Sequence, residues 1–336
     1  MSSKLKRLVL AIALLCGLSI LGIACNANDS TDVELIPVSI ALDWFPWANH
    51  SGLYVAKERG YFQEEGLDVN IYVPGDPSTV LQTVAAGQDD FGISYQTDVL
   101  IAREDQGIPV VSIMAMVQHP LNSVMALKES GIVTPKDLKG KKVGSPGVPS
   151  DDALIDAVLK NEGLTIDDVE MVNVGYDLVA ALLSKRVDAI IGAYWVHESI
   201  SATNQGYALN IMKMEENGVP DYYELVIVAS ESTISENPDV VQKFVNGVMK
   251  GYKDAMDDPL DAVALLKELK PETDLEIENP GVKLLAPLWS TENGVFGWQE
   301  NDIWEEFAQW MVESGRLSDA SGSSEAFTNQ FVSDSK

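Results

Sequence analysis

Cysteine is almost absent from this sequence. The chain of 336 residues contains two cysteines, and both of them, Cys16 and Cys25, fall within the first 25 residues. The remainder of the chain therefore cannot form a disulfide, a thiolate metal site or a cysteine nucleophile. Its stability must come from an apolar core, and 46% hydrophobic residues over this length predict two lobes rather than one small domain.

Basic residues are also scarce. Lysine and arginine number 23 against 51 aspartates and glutamates, a net charge of −28. Nucleic acids and anionic membrane surfaces repel such a chain, so we expect no nucleic-acid partner. The acidity is interpreted as a solvated surface.

Motifs for catalysis and for metal binding are missing as well. The sequence contains no GxSxG, P-loop, GxGxxG or HExxH motif. Its three histidines, His50, His119 and His197, lack the short spacing that zinc sites prefer. We therefore expect neither a bound metal nor a cofactor.

The beginning of the chain is predicted to be a lipoprotein signal peptide over residues 1–24. A basic cluster from Lys4 to Arg7 precedes an apolar run, which is typical of secretion signals. Ala24 and Cys25 resemble a bacterial lipoprotein cleavage junction, so Cys25 is expected to carry lipid and residues 25–35 to form a flexible tether. An uncleaved anchor or ordinary cleavage nearby are the alternatives. In each case the protein lies outside the cytoplasm, and with lipid on Cys25 it is anchored to the cell membrane.

Strand-like and helix-like segments alternate through the rest of the chain, which predicts an α/β fold with mainly parallel sheets. The predicted strands are 38–44, 67–73, 90–95, 110–117, 141–145, 171–174 and 187–195. Asn237-Pro238 and Asp258-Pro259 each combine a capping side chain with proline at the first helical position, and so predict two helix starts.

Two extended segments without glycine or proline, 122–128 and 223–230, are predicted to carry the chain between lobes. The first lobe would comprise 36–122 and 229–330, and the second 123–228. Paired crossings of this kind form a hinge.

Several blocks of sequence carry a family resemblance. They are LDWFPWANHSGLYVAKERGYFQEEGLDV (42–69), GISYQTD (92–98), VMALKESGI (124–132), LKGKKVGSPGVPSDDA (138–153) and DAIIGAYWVHE (188–198). Together they resemble the solute-binding proteins that recognise thiamine pyrimidine precursors and their riboflavin-binding relatives. The resemblance implies a two-lobed periplasmic-binding fold of type II with two crossovers, a ligand cleft between the lobes, and a monomer that serves an ABC permease and ATPase.

Candidate binding residues lie where predicted strands end, which is where ligands collect in open α/β sheets. Flat faces for a heteroaromatic ring would come from Trp44, Trp47, Tyr95 and Tyr194, and hydrogen bonds to its edge from Asn49, Ser94, Gln96 and Glu198. Ser145 and Gly147 precede a helix predicted to start near Ser150, so their backbone N–H groups could meet a polar ligand group.

An enzyme is the strongest competing class, because the eukaryotic synthases of the thiamine pyrimidine resemble this chain around LDWFP and GYF. In those synthases a lysine holds pyridoxal phosphate and a histidine is consumed. Here the resemblance places Ser94 at the position of the lysine and Asp98 at that of the histidine. We therefore expect a binding protein and not an enzyme.

The run PWANH favours one ligand over another. The pyrimidine-binding relatives have a PNTNH-like run, whereas this chain has Trp47 within that run and Phe45 beside it. The added ring surface favours riboflavin as the first choice of ligand, with the thiamine pyrimidine, as its formylamino or hydroxymethyl form, as the second.

Overall fold

The computed structural model describes residues 34–290 and 294–332. The predicted signal peptide, Cys25 and nearly all of the predicted tether lie outside the described residues. None of the helices in the described ranges has the length and apolar character needed to span a bilayer.

Ten strands form two mixed sheets. They are β1 (Ile36–Ala41), β2 (Leu67–Tyr72), β3 (Phe91–Ser94), β4 (Val110–Val117), β5 (Asn122–Leu127), β6 (Lys142–Ser145), β7 (Glu170–Asn173), β8 (Ala189–Tyr194), β9 (Leu209–Lys213) and β10 (Leu225–Ser230). The first sheet has the order β2-β1-β3-β10-β4 and the second β7-β6-β8-β5-β9. In each sheet four strands run in the same direction, and the strand that comes from the other lobe, β10 or β5, runs antiparallel to both of its neighbours.

Twelve α-helices of the described ranges cover these sheets. They are α1 (Ser51–Glu58), α2 (Tyr61–Glu64), α3 (Val80–Ala85), α4 (Gln96–Glu104), α5 (Pro149–Asn161), α6 (Leu178–Leu183), α7 (Glu198–Asn204), α8 (Glu231–Glu236), α9 (Pro238–Asp257), α10 (Pro259–Leu269), α11 (Leu275–Leu285) and α12 (Asn301–Glu313).

Each predicted strand and helix start is observed, with two differences in detail, and β9 was not predicted. The first strand ends at Ala41 rather than near Trp44, because the chain turns after Leu42. Asp258 caps α10 by accepting a hydrogen bond from the Asp261 N–H. Asn237 provides no such side-chain cap for α9, since its backbone also ends the preceding helix α8.

The chain passes between the sheets slightly earlier than the sequence indicates. Its crossings are residues 118–121, between β4 and β5, and residues 214–224, between β9 and β10. Most of 122–128 and 223–230 is instead buried strand, which explains why these segments are extended and apolar. The boundary expected at 228–229 therefore falls inside β10, a strand of the first sheet.

A close helix crossing supports the turn that follows β1. Helices α1 and α9 meet at Gly52 and Gly251, where a Cβ on Gly251 would overlap the carbonyl oxygen of Gly52 and lie 2.7 Å from the Ala56 Cβ. On the same helix, Tyr252 is fully buried and donates a hydrogen bond to the main-chain oxygen of Asn49. The turn between β1 and α1 is thus held against the core of the first lobe.

We predict that Gly251→Ala destabilises the protein. Overpacking costs about 1–3 kcal/mol, more than the gain of roughly 1 kcal/mol that alanine brings to a helix interior. Urea denaturation measures the change in the free energy of unfolding. Gly75→Ala is the matched control, because a Cβ on Gly75 meets nothing within 4 Å. Equal stability of the two variants would contradict the tight crossing.

Candidate ligand-binding site

A narrow cavity lies between the carboxyl ends of the two sheets. Both lobes and the second crossing contribute to its lining. The lining residues are Asp43, Trp44, Trp47, Tyr95, Thr97, Asn122, Pro146, Val148, Ser150, Asp151, Leu154, Gly192, Tyr194, Glu198, Tyr222 and Glu224.

Strand ends position most of these side chains. Asp43, Trp44 and Trp47 lie on the turn between β1 and α1, and Tyr95 lies between β3 and α4. From the second lobe, the segment 146–148 joins β6 to α5, and Tyr194 ends β8. These are the strand ends at which the sequence predicts a ligand site.

Aromatic rings from opposite lobes meet in the cavity. The ring centroid of Trp47 lies 5.6 Å from that of Tyr194 and 4.2 Å from that of His197. Near the cavity, the ring of Trp44 packs edge-on against Tyr176 at 4.6 Å. Because Trp47 is only 4% exposed, much of its indole surface is already covered by the protein.

Two of the lining carboxylates are fully engaged by protein groups. Asp43 pairs with the ring of His50 at 2.9 Å and accepts a hydrogen bond from the Tyr95 hydroxyl at 3.3 Å. Glu198 accepts from the Tyr194 N–H at 2.8 Å and pairs with His197 at 2.9 Å.

Glu224 joins the two crossings beneath the cavity. Its Oε2 accepts hydrogen bonds from the N–H groups of Leu121 and Asn122, at 2.7 and 2.9 Å, and from the Tyr222 hydroxyl at 3.0 Å. Burial raises the pKa of Glu224 to about 7, although these donors oppose the shift.

Asp151 lies on the other side of the same network. Its Oδ1 accepts from the Asn122 side-chain amide at 2.9 Å, and the Asn122 Oδ1 accepts from the Gly192 N–H at 3.0 Å. Burial raises the pKa of Asp151 well above its ordinary value, and the negative charges of Asp98, Glu224 and Asp152 raise it further. No lysine, arginine or histidine is among the cavity-lining residues that the structure describes.

Further polar contacts join the lobes outside the cavity. Asp98, on α4, accepts a hydrogen bond of 2.7 Å from the Ser150 N–H in the first turn of α5; burial raises the pKa of Asp98 to about 7. His197 bonds Glu278 of α11 at 3.1 Å. Burial would lower the pKa of His197, but Glu198 and Glu278 together raise it to about 10. The Tyr176 hydroxyl donates to the Pro74 carbonyl oxygen at 3.1 Å.

Half of the sequence-predicted site residues line the cavity. They are Trp44, Trp47, Tyr95, Tyr194 and Glu198.

The other five predicted residues, Asn49, Ser94, Gln96, Ser145 and Gly147, lie outside its lining. Gln96 accepts from the Tyr223 N–H and donates to the Ile303 carbonyl oxygen, so it ties α4 to the second crossing. Gly147 has a φ of +88°, and a Cβ there would overlap the side chain of Asn173, so its role in the turn is conformational. The side chain of Asn49 is completely buried.

Residues that the sequence did not single out supply much of the polar lining. Asp43 lies in the turn after β1 and continues the alternation of apolar and polar residues of that strand, a pattern typical of a solvent-facing position. Asn122, Tyr222 and Glu224 belong to the ends of the crossings, and Asp151 to the first turn of a helix where acidic residues are common. In the described residues, no group of three or more His, Cys, Asp or Glu side chains is arranged to hold a metal ion.

We predict that the free energy of unfolding falls as pH rises from about 5 to about 8. The folded-state pKa values of Asp98 and Glu224, about 7, exceed the ordinary values of 3.8 and 4.5. Their contribution to stability is complete below the ordinary values and is lost as pH rises through 7. The pKa of His197 is raised from 6.5 to about 10. Its contribution to stability is therefore lost at higher pH, between these two values.

Urea denaturation at several pH values checks this prediction. Asp98→Asn and Glu224→Gln should each flatten the decline between about pH 5 and 7 by roughly 2 kcal/mol. Asp68→Asn is the control, because Asp68 is exposed on β2. A decline equally steep in all three variants would place its origin in the general surface charge.

Comparison with known proteins agrees with this architecture. A family model described as NMT1/THI5 like matches residues 47–262. The formylaminopyrimidine-binding protein of Halalkalibacterium halodurans is 35% identical over 315 residues, 92% of this chain and 93% of the relative. Riboflavin-binding protein RibY of Chloroflexus aurantiacus is 28% identical, covering 88% and 86%. The 4-amino-5-hydroxymethyl-2-methylpyrimidine phosphate synthase of Aspergillus parasiticus is 30% identical, covering 70% and 71%.

Solved structures share the fold. The alkanesulfonate-binding protein SsuA of Xanthomonas axonopodis pv. citri superposes with a TM-score of 0.68 at 16% identity, over 88% of this chain and 99% of that one. A Candida albicans protein with the generic periplasmic binding protein fold gives 0.66 at 15% identity, over 90% and 98%. The two-lobed periplasmic-binding fold predicted from the sequence is confirmed. With a family model matched over more than half of its length and a relative 35% identical across almost all of it, the chain belongs to the NMT1/THI5-like family.

Proposed function

We propose that this protein is the extracytoplasmic binding component of an ABC importer, and that its ligand is an aminopyrimidine of the kind from which thiamine is built. The observation that carries the proposal is the lining of the cavity, which combines aromatic rings with carboxylates and, among described residues, includes no cationic side chain. Such a site suits a flat ligand that brings N–H donors of its own.

Hydrogen-bond chemistry favours the pyrimidine over riboflavin. The hydrogen-bonding edge of an isoalloxazine ring presents two carbonyl oxygens on either side of one N–H, so it needs more donors than acceptors from the protein. The Asn122 amide, the Leu121 and Asn122 N–H groups and the Ser150 N–H are already bound to carboxylates. The cavity-lining donors without a partner among the described residues are Trp47 Nε1, Thr97 Oγ1 and the Tyr194 hydroxyl. An aminopyrimidine presents an amino donor beside a ring nitrogen, which complements a carboxylate-rich wall.

Riboflavin, the first choice from the sequence, becomes the second candidate. The full-length likeness to RibY supports it, and so does the aromatic cluster of Trp44, Phe45 and Tyr176 at the cavity. The sequence argument for riboflavin rested on Trp47 as a free stacking surface. In the structure this ring is packed against Tyr194 and His197, which weakens that argument.

We propose a binding role and not catalysis, although some relatives are named synthases. The support comes from the positions that the resemblance equates with the lysine and histidine of the synthases. Ser94 ends a buried strand outside the cavity lining. The Asp98 carboxylate accepts a hydrogen bond from the Ser150 N–H. Neither can supply an amine for a Schiff base or an imidazole.

The proposal includes an anchor and partners. Lipid on Cys25 would hold a monomer to the cell membrane beside the permease and ATPase of the importer, as the lipoprotein-like junction predicts. The intact mass of protein extracted from membranes tests the anchor, since an unmodified cysteine within a longer chain would refute it.

We also propose that ligand closes the lobes about the two crossings, 118–121 and 214–224. The cavity is lined from both lobes, so a ligand that contacts both stabilises the closed state over the open one. Small-angle scattering should therefore give a smaller radius of gyration at saturating ligand. An unchanged radius would indicate a rigid pocket.

Calorimetric titration tests the choice of ligand. We predict that the wild-type protein binds 4-amino-5-hydroxymethyl-2-methylpyrimidine or its formylamino relative at least about 100-fold more tightly than riboflavin, because two mispaired polar edges cost roughly 1–3 kcal/mol each. Trp47→Ala should change pyrimidine affinity by less than about tenfold, since the indole mainly packs against protein.

Trp310→Ala serves as the control for loss of an indole, because Trp310 lies on α12 and does not line the cavity. The opposite result would favour riboflavin: tight flavin binding in the wild type, lost by roughly 30-fold or more in Trp47→Ala. The transport role would stand in that case.

A further inference from the structure

The two carboxyl oxygens of Asp151 have unequal surroundings. Oδ1 accepts a hydrogen bond from Asn122, whereas Oδ2 has no hydrogen-bond partner among the described residues. The residue is 2% exposed and lines the cavity. A buried acceptor without a donor is costly, and proteins keep such groups where a ligand supplies the missing partner.

The fold holds this carboxyl group in place. The Asn122 amide that binds Oδ1 is itself fixed by the Gly192 N–H. Gly192 also leaves room for Oδ2, because a Cβ there would lie 2.9 Å from that oxygen. A φ of +79° gives a second reason for glycine at this position. The unpaired Oδ2 is thus held in a fixed position.

The other lining carboxylates are already bound to protein donors. Asp43 is held by His50 and Tyr95, Glu198 by the Tyr194 N–H and His197, and Glu224 by main-chain N–H groups. The charged groups that act on Asp151 are acidic, so the protein does not compensate its charge. A hydrogen-bond donor from the ligand would compensate it.

We infer that Asp151 determines specificity by accepting, at Oδ2, an N–H from the exocyclic amino group of the ligand. This inference rests on the proposed function and adds to it the chemical group that the site recognises: an amino substituent on a flat nitrogen ring, presented to the second lobe. A ring with oxygen or hydrogen at that position leaves Oδ2 unpaired, so the site rejects it.

A pair of ligands and a pair of variants test the inference. The ligands are 4-amino-5-hydroxymethyl-2-methylpyrimidine and the same compound with hydrogen in place of the 4-amino group. Calorimetry should show that the wild type prefers the amino compound by roughly 10- to 100-fold, because the other compound leaves a buried acceptor unpaired. In Asp151→Asn the preference should vanish, because an amide can place a donor where the acceptor was.

Asp152→Asn is the matched control. It removes the same charge from the neighbouring position of α5, where the side chain is exposed and does not line the cavity, so the preference should persist. If Asp151→Asn fails to fold, Asp151→Ser gives a second variant without the carboxylate. A preference that survives in the Asp151 variants overturns the inference alone. A wild type that binds neither pyrimidine overturns the inference together with the proposed aminopyrimidine ligand.

Discussion

The hydrogen bonds between the Glu224 carboxylate and the N–H groups of Leu121 and Asn122 are the contact on which the cleft depends. They join the second crossing to the end of the first. Glu224 and Asn122 also line the cavity, so the contact between the crossings and the cavity wall share residues. A ligand that alters the charge or position of this carboxyl group acts directly on the segments about which the lobes would move.

Buried carboxylates recur wherever the lobes of this acidic chain meet. Asp98 accepts from the first turn of α5, and Glu278 accepts from the Ala48 N–H while pairing with His197. A main-chain N–H is a fixed partial charge that does not need a lysine or arginine to be buried with it. A chain with 23 basic and 51 acidic residues can therefore build a polar interface from carboxylates and backbone, and the ligand can complete the set of donors.

Sequence patterns predicted the architecture because several strands are apolar runs or alternate between apolar and polar residues, and end at recognisable blocks. They also predicted the aromatic lining, since Trp44, Trp47, Tyr95 and Tyr194 follow or end strands. The polar lining was not predictable in the same way. Asp151 and Asp152 are adjacent and chemically identical, yet one is buried in the cavity wall and the other exposed. Tyr95 and Gln96 likewise diverge, one toward the cavity and one toward the second crossing. Those choices depend on how a helix is rotated against the opposite lobe, which no local pattern encodes.

The number of aromatic residues around a cleft does not measure the size of its ligand. Here the rings pack on one another across the lobes: Trp47 on Tyr194 and His197, and Tyr176 on Trp44 and Phe45 with ring centroids 4.6 Å apart in both pairs. Tyr176 also donates a hydrogen bond to the opposite lobe, so it closes the region beside Trp44. A three-ring ligand would have to replace more of these contacts than a single ring, and its own contacts would have to offset their loss. The aromatic residues thus stabilise the closed cleft first, and the unpaired carboxylate oxygen within it is the better guide to what the cleft holds.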